Sequence, residues 1–196
     1  MIRHALKPIR EYTMRYYEIE VAGLTRKLPI VRVSDQLEIA SFVILGDCEL
    51  VLKAAQELLK KLPEVDVLIT AEAKGIPLVQ ELSRLLGMKR YYVARKSIKP
   101  YMVNPFVTEV YSITTRTKQI LCLDEEEAEE ISGKRVLIVD DVISTGESLK
   151  AMEALVRRAG GTVEGRAAIL AEGDASKRDD IIFLEPLPVF PVKSSK

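Results

Sequence analysis

Between Val136 and Ser148 the chain reads Val-Leu-Ile-Val, Asp-Asp, Val-Ile, Ser-Thr-Gly-Glu-Ser, and no other segment restricts the fold as much. Four consecutive apolar residues, bounded by Lys134-Arg135 and Asp140-Asp141, read as a strand buried on both faces. Such strands belong to parallel sheets covered by helices. Leu149, Met152, Leu155 and Val156 then recur at helical spacing until Gly160-Gly161 closes the run. A buried strand that passes through a short polar turn into an amphipathic helix is half of a βαβ unit.

The same alternation runs through the rest of the chain. Cys48, Val51, Leu52, Ala55, Leu58, Leu59 and Leu62 mark a helix capped by Asp47 and closed by Pro63. Val67-Leu68-Ile69 reads as a strand, Gly75 to Leu86 as a helix stopped by Gly87, Tyr91 to Ala94 as a strand, and Ala167 to Ala171 as another. The fold class predicted is α/β with a parallel sheet. Two regions break the rhythm. From Arg95 to Glu125 there is no helical signal, only β-like runs at Phe106 to Ile113 and Ile120 to Leu123 around the polar Thr114 to Lys118, which predicts an inserted hairpin. The N-terminal forty residues read as a second hairpin, Tyr16 to Val21 with Leu28 to Val33, and the tail Ile181 to Leu184 as one more strand. These ends are expected to cap the C-terminal edge of the sheet.

Composition excludes whole classes of partner. The chain has 196 residues with 29 Lys+Arg against 29 Asp+Glu, a formal charge of zero, so neither a basic nucleic-acid face nor a basic membrane stripe is expected. With 47% hydrophobic and 30% charged residues it is an ordinary globular composition, and its length fits one domain over 1–196. The longest apolar stretch lies around Phe42 to Leu45, far below the ~18 residues of a spanning helix, and no secretory core follows Met1. A cytoplasmic setting is therefore expected. Cys48 and Cys122 lie far apart with no metal-ligand spacing and read as buried thiols. His4 is the only histidine and sits near the terminus, which argues against a histidine triad or a histidine-ligated metal.

The chemistry concentrates after the Val136 strand. Asp140 and Asp141 leave the carboxyl end of a buried strand, where open α/β sheets bind ligands. Ser144, Thr145, Gly146, Glu147 and Ser148 then open a helix, placing hydroxyls and backbone N–H groups at the positive end of its dipole. Carboxylates suit a vicinal diol and the turn suits a phosphate, so the pair fits a sugar phosphate. The plainer alternative makes Ser144 or Thr145 an ordinary N-cap and Gly146 a turn residue. It leaves the paired acids beside three hydroxyls unexplained. A nucleotide-hydrolase reading lacks a G-x-x-x-x-G-K-[ST] loop, and a dinucleotide fold lacks G-x-G-x-x-G.

At these residues the sequence resembles the type I phosphoribosyltransferases, whose signature is an apolar strand, two acids, two apolar residues and a Ser/Thr-Gly-x-Ser/Thr phosphate loop. Thr70-Ala71-Glu72-Ala73-Lys74-Gly75 resembles the family's pyrophosphate loop. Val93-Ala94-Arg95-Lys96 and the hairpin after it resemble its flexible catalytic loop, and Val110-Tyr111-Ser112 resembles that loop in the adenine and xanthine branch. The resemblance implies a core over about 40–172, a hood from about 1–35 and 178–192, and a flexible loop over about 95–120, within the single-domain prior.

It also implies an activity: transfer of the ribose 5-phosphate of phosphoribosyl pyrophosphate to a purine nitrogen, with magnesium carried on the substrate and pyrophosphate released. Catalytic roles are implied for Asp140, Asp141, Arg95 and Lys96. Substrate contacts are implied for Val142, Ile143, Ser144 to Ser148, Glu72, Ala73, Lys74, Gly75, Lys99 and Tyr111, with Val142 against the base. A homodimer is expected by the same resemblance. Ser144 stands where hypoxanthine-guanine enzymes carry an aspartate, which favours adenine, then xanthine. Thr114 follows Tyr111-Ser112-Ile113 where adenine enzymes carry a glutamate, so a binding protein that senses phosphoribosyl pyrophosphate without turnover stays open as a second reading.

Overall fold

The computed structural model describes residues 14–111 and 118–192, and the expectations placed on His4, Ser112, Ile113 and Thr114 fall outside them. Three antiparallel strands open the fold: β1 (Tyr16–Val21), β2 (Leu24–Arg32) and β3 (Leu37–Ala40). Then come α1 (Cys48–Leu59), β4 (Val67–Ala71), α2 (Ile76–Leu85) and β5 (Tyr92–Ala94). The excursion follows as β6 (Phe106–Tyr111), β7 (Lys118–Leu123) and α3 (Glu125–Ile131). The last part holds β8 (Arg135–Ile143), α4 (Glu147–Arg158), β9 (Thr162–Glu172), a 3₁₀ turn over Gly173–Lys177, β10 (Glu185–Leu187) and β11 (Val189–Pro191).

The main sheet has the order β10-β9-β8-β4-β5, and all four pairings are parallel. Both of its faces are covered, and alternate residues of one strand serve different cores, as a pleat of period two requires. Val67 and Ile69 of β4 and Val136 and Ile138 of β8 pack toward α3, α4 and β7. Leu68, Leu137 and Val139 pack on the opposite face toward α1, α2 and the N-terminal strands. A second sheet, ordered β1-β2-β3-β11, joins the chain's two ends, and its Ile19, Val21, Leu28 and Ala40 belong to that second core.

Several expectations shift. The first helix ends at Leu59 and leaves Leu62 outside, because residues preceding Pro63 are steered away from helical geometry. Cys48 is exposed, whereas Cys122 is buried. The buried stripe of α1 runs through Leu50, Val51, Ala54, Ala55 and Leu58, which turns Cys48 and Leu52 outward. Ile181 to Leu184 make only a bridge between Ile182 and Ala167, and the strands of the tail lie later. Pro186 and Pro191 sit in these strands because each occupies a sheet edge, where a missing donor is tolerated. Among the described residues no helix is long and apolar enough to cross a membrane.

Candidate active site

β4 and β8 pair only from Val67↔Val136 to Ile69↔Ile138, while β8 continues beside β9 as far as Ile143↔Ala171. Past Ile138, then, β8 has an open flank toward β4. β4 leads through α2 to β5 on one side and neighbours β8 on the other, so this opening is the topological switch point of the sheet. Asp140 and Asp141 occupy it.

The loop from β4 closes the other side. Gly75 is seated so tightly that a Cβ there would lie 2.1 Å from Thr70 Oγ1 and 3.3 Å from the Asp140 Cα, so only glycine fits. Next to it Lys74 Nζ donates to Asp141 Oδ2 at 2.6 Å, with the Asp141 side chain 3% exposed and that of Lys74 45%. The Asp141 amide donates to Asp140 Oδ1 at 2.9 Å. Asp140 is crowded by protein and by a like charge. Burial first, then the Asp141 carboxylate, raises its pKa to about 7, and Lys74 offsets only part of this. Asp140 is therefore partly protonated near neutral pH.

The hydroxyl turn is built differently from an ordinary helix start. The N-cap of α4 is Gly146, left-handed at φ 81°, with no side-chain capping bond, so neither Ser144 nor Thr145 acts as cap. Among the described residues the hydroxyls of Ser144, Thr145 and Ser148 make no hydrogen bond and are available to a ligand. Glu147 is half-buried in the first turn of α4. A hollow of about 110 Å³ lies under this turn, between Ala71, Asp140 and Gly146. The Ile143 side chain, 3% exposed, packs beside Leu149 and Met152 and also lines this hollow.

Cations stand on the far side of the β4 loop. Glu72 receives the Lys96 amide at 3.1 Å and lies 3.8 Å from both Arg95 Nη1 and Lys99 Nζ. Its carboxylate is thus already engaged and serves as a hub that gathers positive side chains. Arg95 is placed by strand-like bonds to Cys122 on β7, amide to carbonyl in both directions at 2.8 and 2.9 Å. Lys96 is exposed and joins the cluster only through its backbone. Ala73 follows Glu72 across a cis peptide. Tyr111 ends β6, its backbone opposite Lys118.

Between the two sheets runs a cleft of about 310 Å³, where Ile39, Ala40 and Val43 face Val142, Ser144 and Glu172 near Lys74. Leu24, at the start of β2, packs against the core on the α1 and α2 side. The strand β3 that supplies this wall carries only four residues and a weak pattern, which is why sequence reading passed over it. Among the described residues no three His, Cys, Asp or Glu side chains form a metal cage.

Residues 44–190 match the family model of the phosphoribosyl transferase domain. The chain belongs to the phosphoribosyltransferase family. Within it, a hypoxanthine/guanine phosphoribosyltransferase of Methanocaldococcus sp. is 36% identical over 114 residues, 58% of this chain and 54% of the relative. An adenine phosphoribosyltransferase of Bifidobacterium longum is 34% identical over 124 residues, 62% of this chain and 61% of the relative. The chain thus spans somewhat more than half the length of the curated relatives it matches. The crystal structure of adenine phosphoribosyltransferase from Rhodothermus marinus superposes with a TM-score of 0.62 at 23% identity, over 88% of this chain and 94% of that one, and shares its fold. The type I phosphoribosyltransferase fold expected from the sequence is the fold observed.

Proposed function

We propose that the chain is a purine phosphoribosyltransferase, which moves the 5-phosphoribosyl group of phosphoribosyl pyrophosphate onto a purine nitrogen and releases pyrophosphate. The observation that carries this reading is the convergence at one sheet opening of two acids, a hydroxyl turn on a helix N-terminus and a cation cluster. Asp140 and Asp141 accept the ribose hydroxyls. The turn from Ser144 to Ser148 holds the 5-phosphate by hydroxyls, backbone N–H groups and the dipole of α4. Lys74, Arg95, Lys96 and Lys99 face the leaving pyrophosphate. Val142 and the Ile39–Val43 wall enclose the base in the cleft between the sheets.

The transition state concentrates positive charge at the anomeric carbon and negative charge on the departing group, so fixed charges on both sides lower the barrier. The acids lie on the sugar side and the cations on the pyrophosphate side, and Lys74 bonds directly to Asp141. Asp140 and Asp141 fit magnesium as one or two carboxylates that share the ion with substrate oxygens, the manner in which this ion is usually held. When bound, magnesium neutralises charge on the pyrophosphate as it leaves. The proposed enzyme is a cytoplasmic homodimer, and sedimentation of the purified chain tests its assembly.

Adenine is the first choice of base, supported by the Bifidobacterium relative. A 6-oxopurine is the second reading, favoured by the 36% identity to the Methanocaldococcus relative. The test is incubation with phosphoribosyl pyrophosphate, magnesium and a panel of adenine, hypoxanthine, guanine and xanthine, with release of pyrophosphate as the signal. Release with adenine above the other three supports the first choice, and release only with 6-oxopurines moves the assignment to the second. Ligand binding with no release for any base assigns the chain to the sensing role instead.

A further inference from the structure

The turn proposed to hold the 5-phosphate brings no cation of its own. From Asp140 to Ser148 the charged residues are Asp140, Asp141 and Glu147, all acidic. A phosphate dianion there would meet neutral donors and three carboxylates within one short segment, while Lys74, Arg95 and Lys99 stand on the β4 side around Asp141 and Glu72. The fold supplies the missing charge from a distant point of the chain. Arg178, just past the 3₁₀ turn that follows β9, lies over the hydroxyl turn: a Cβ on Gly146 would come within 2.8 Å of its Nη1.

The guanidinium is held there. Its Nε and Nη2 donate to the two carboxylate oxygens of Asp180, both at 2.8 Å, a planar bidentate pair that leaves Nη1 toward Gly146. Asp180 is 3.8 Å from Arg166 Nε, which donates at 2.5 Å to Glu153 of α4. The series Arg178, Asp180, Arg166 and Glu153 therefore ties the cation to the helix whose N-terminus forms the turn. The Arg178 side chain is 33% exposed, within reach of an entering ligand.

We propose that Arg178 is a ligand-binding cation for the 5-phosphate end of the ribose phosphate, with Asp180 as its positioning residue. This rests on the phosphoribosyltransferase reading above and adds to it a separate cation for each anionic end of the substrate: Arg178 for the phosphate monoester, the Lys74, Arg95 and Lys99 group for the pyrophosphate. Arginine suits the place, since it stays charged across the working pH range and can present one edge to Asp180 while keeping donors for phosphate.

Two probes that need no turnover test this on the full chain: ribose 5-phosphate and inorganic pyrophosphate, each titrated by calorimetry against the native chain, R178Q, R178K and D180N. R178Q weakens ribose 5-phosphate about tenfold or more, the scale of a lost charge-assisted hydrogen bond. Pyrophosphate affinity stays within about twofold, as expected of a distant site. R178K recovers part of the loss, and D180N falls between native and R178Q. In turnover the loss appears in KM for phosphoribosyl pyrophosphate and not in KM for the base. Native affinity for ribose 5-phosphate in R178Q overturns the role of Arg178 and leaves the functional reading standing. A native chain that binds neither probe overturns the functional reading, and this role with it. Should R178Q fail to fold, native affinity in both R178K and D180N counts against the proposal.

Discussion

Lys74 Nζ and Asp141 Oδ2 meet at 2.6 Å across the opening between β4 and β8, and this contact joins the loop after β4 to the acid pair. It also leaves Asp140 as the acid without a cationic partner at contact distance, next to a carboxylate whose charge it must share. The electrostatic stress of the acid pair falls on Asp140.

Stability should therefore depend on pH in a stated direction. The Asp140 carboxyl has a pKa near 3.8 when exposed and about 7 in the folded chain, so between these values the folded state binds more protons than the unfolded one. Stability from this group is full at low pH and is lost as pH rises through about 7. Asp140→Asn keeps the Oδ1 acceptor for the Asp141 amide and removes the charge. It should melt at least about 2 °C above the native chain at pH 8, with the gap closing toward pH 4. Equal melting at pH 8 would show that Asp140 carries no charge penalty.

Gly75→Ala tests the close seating of the two loops. The new methyl would sit 2.1 Å from Thr70 Oγ1 and 3.3 Å from the Asp140 Cα, and Thr70 is fully buried, so the β4 loop must move. A loss of about 1–3 kcal/mol is expected, together with weaker binding of phosphoribosyl pyrophosphate. Thr70→Ala added to Gly75→Ala removes the nearest clash and should return part of the stability. No recovery in the double variant would place the strain elsewhere.

Arg95 should act on the pyrophosphate end alone. It is held by Cys122 through the backbone and lies 3.8 Å from Glu72, on the other side of Lys74 from the hydroxyl turn. Arg95→Ala is expected to weaken product inhibition by pyrophosphate about tenfold, while ribose 5-phosphate binding stays near native. Equal weakening of both ligands would mean that the substitution disturbs the whole opening.

The contiguous part of the site was legible in the sequence because strand, acids and turn follow one another from Val136 to Ser148, and a buried parallel strand announces which end holds the ligand. The approach of Lys74 to Asp141 could be expected only from the resemblance, since 67 residues separate them. Arg178 was not legible at all. Its neighbour Gly146 is distant in sequence, and a charged residue in a polar stretch has no pattern that distinguishes it from a solvated one. Cys48 shows the limit of periodicity: it shares the helical spacing of Val51 and Leu52 but lies on the rim of the stripe. The helix α3 was missed because Ala128 and Ile131 are its only buried residues among five glutamates, too few to form a period. Asp124 and Glu127 were the signal available there.

Asp124 caps α3 in a reciprocal box: its side chain accepts from the first turn, including the Glu125 amide at 2.8 Å, and its own amide donates to Glu127 at 3.0 Å. The same carboxylate also accepts from the Val103 amide at 3.0 Å, which fastens the segment before β6 to the start of α3. Seven residues make a helix too short to persist on propensity, so the cap and the burial of Ala128 and Ile131 hold it. Asp124→Ala should cost about 1–2 kcal/mol, or roughly 2–8 °C of melting temperature for a chain of this size. Amide exchange at Ala128 and Val103 should rise with it. Asp124→Asn retains an acceptor oxygen and is expected to keep most of the stability. If the alanine variant melts with the native chain and exchange at both amides is unchanged, α3 is held by its packing alone and the box contributes nothing.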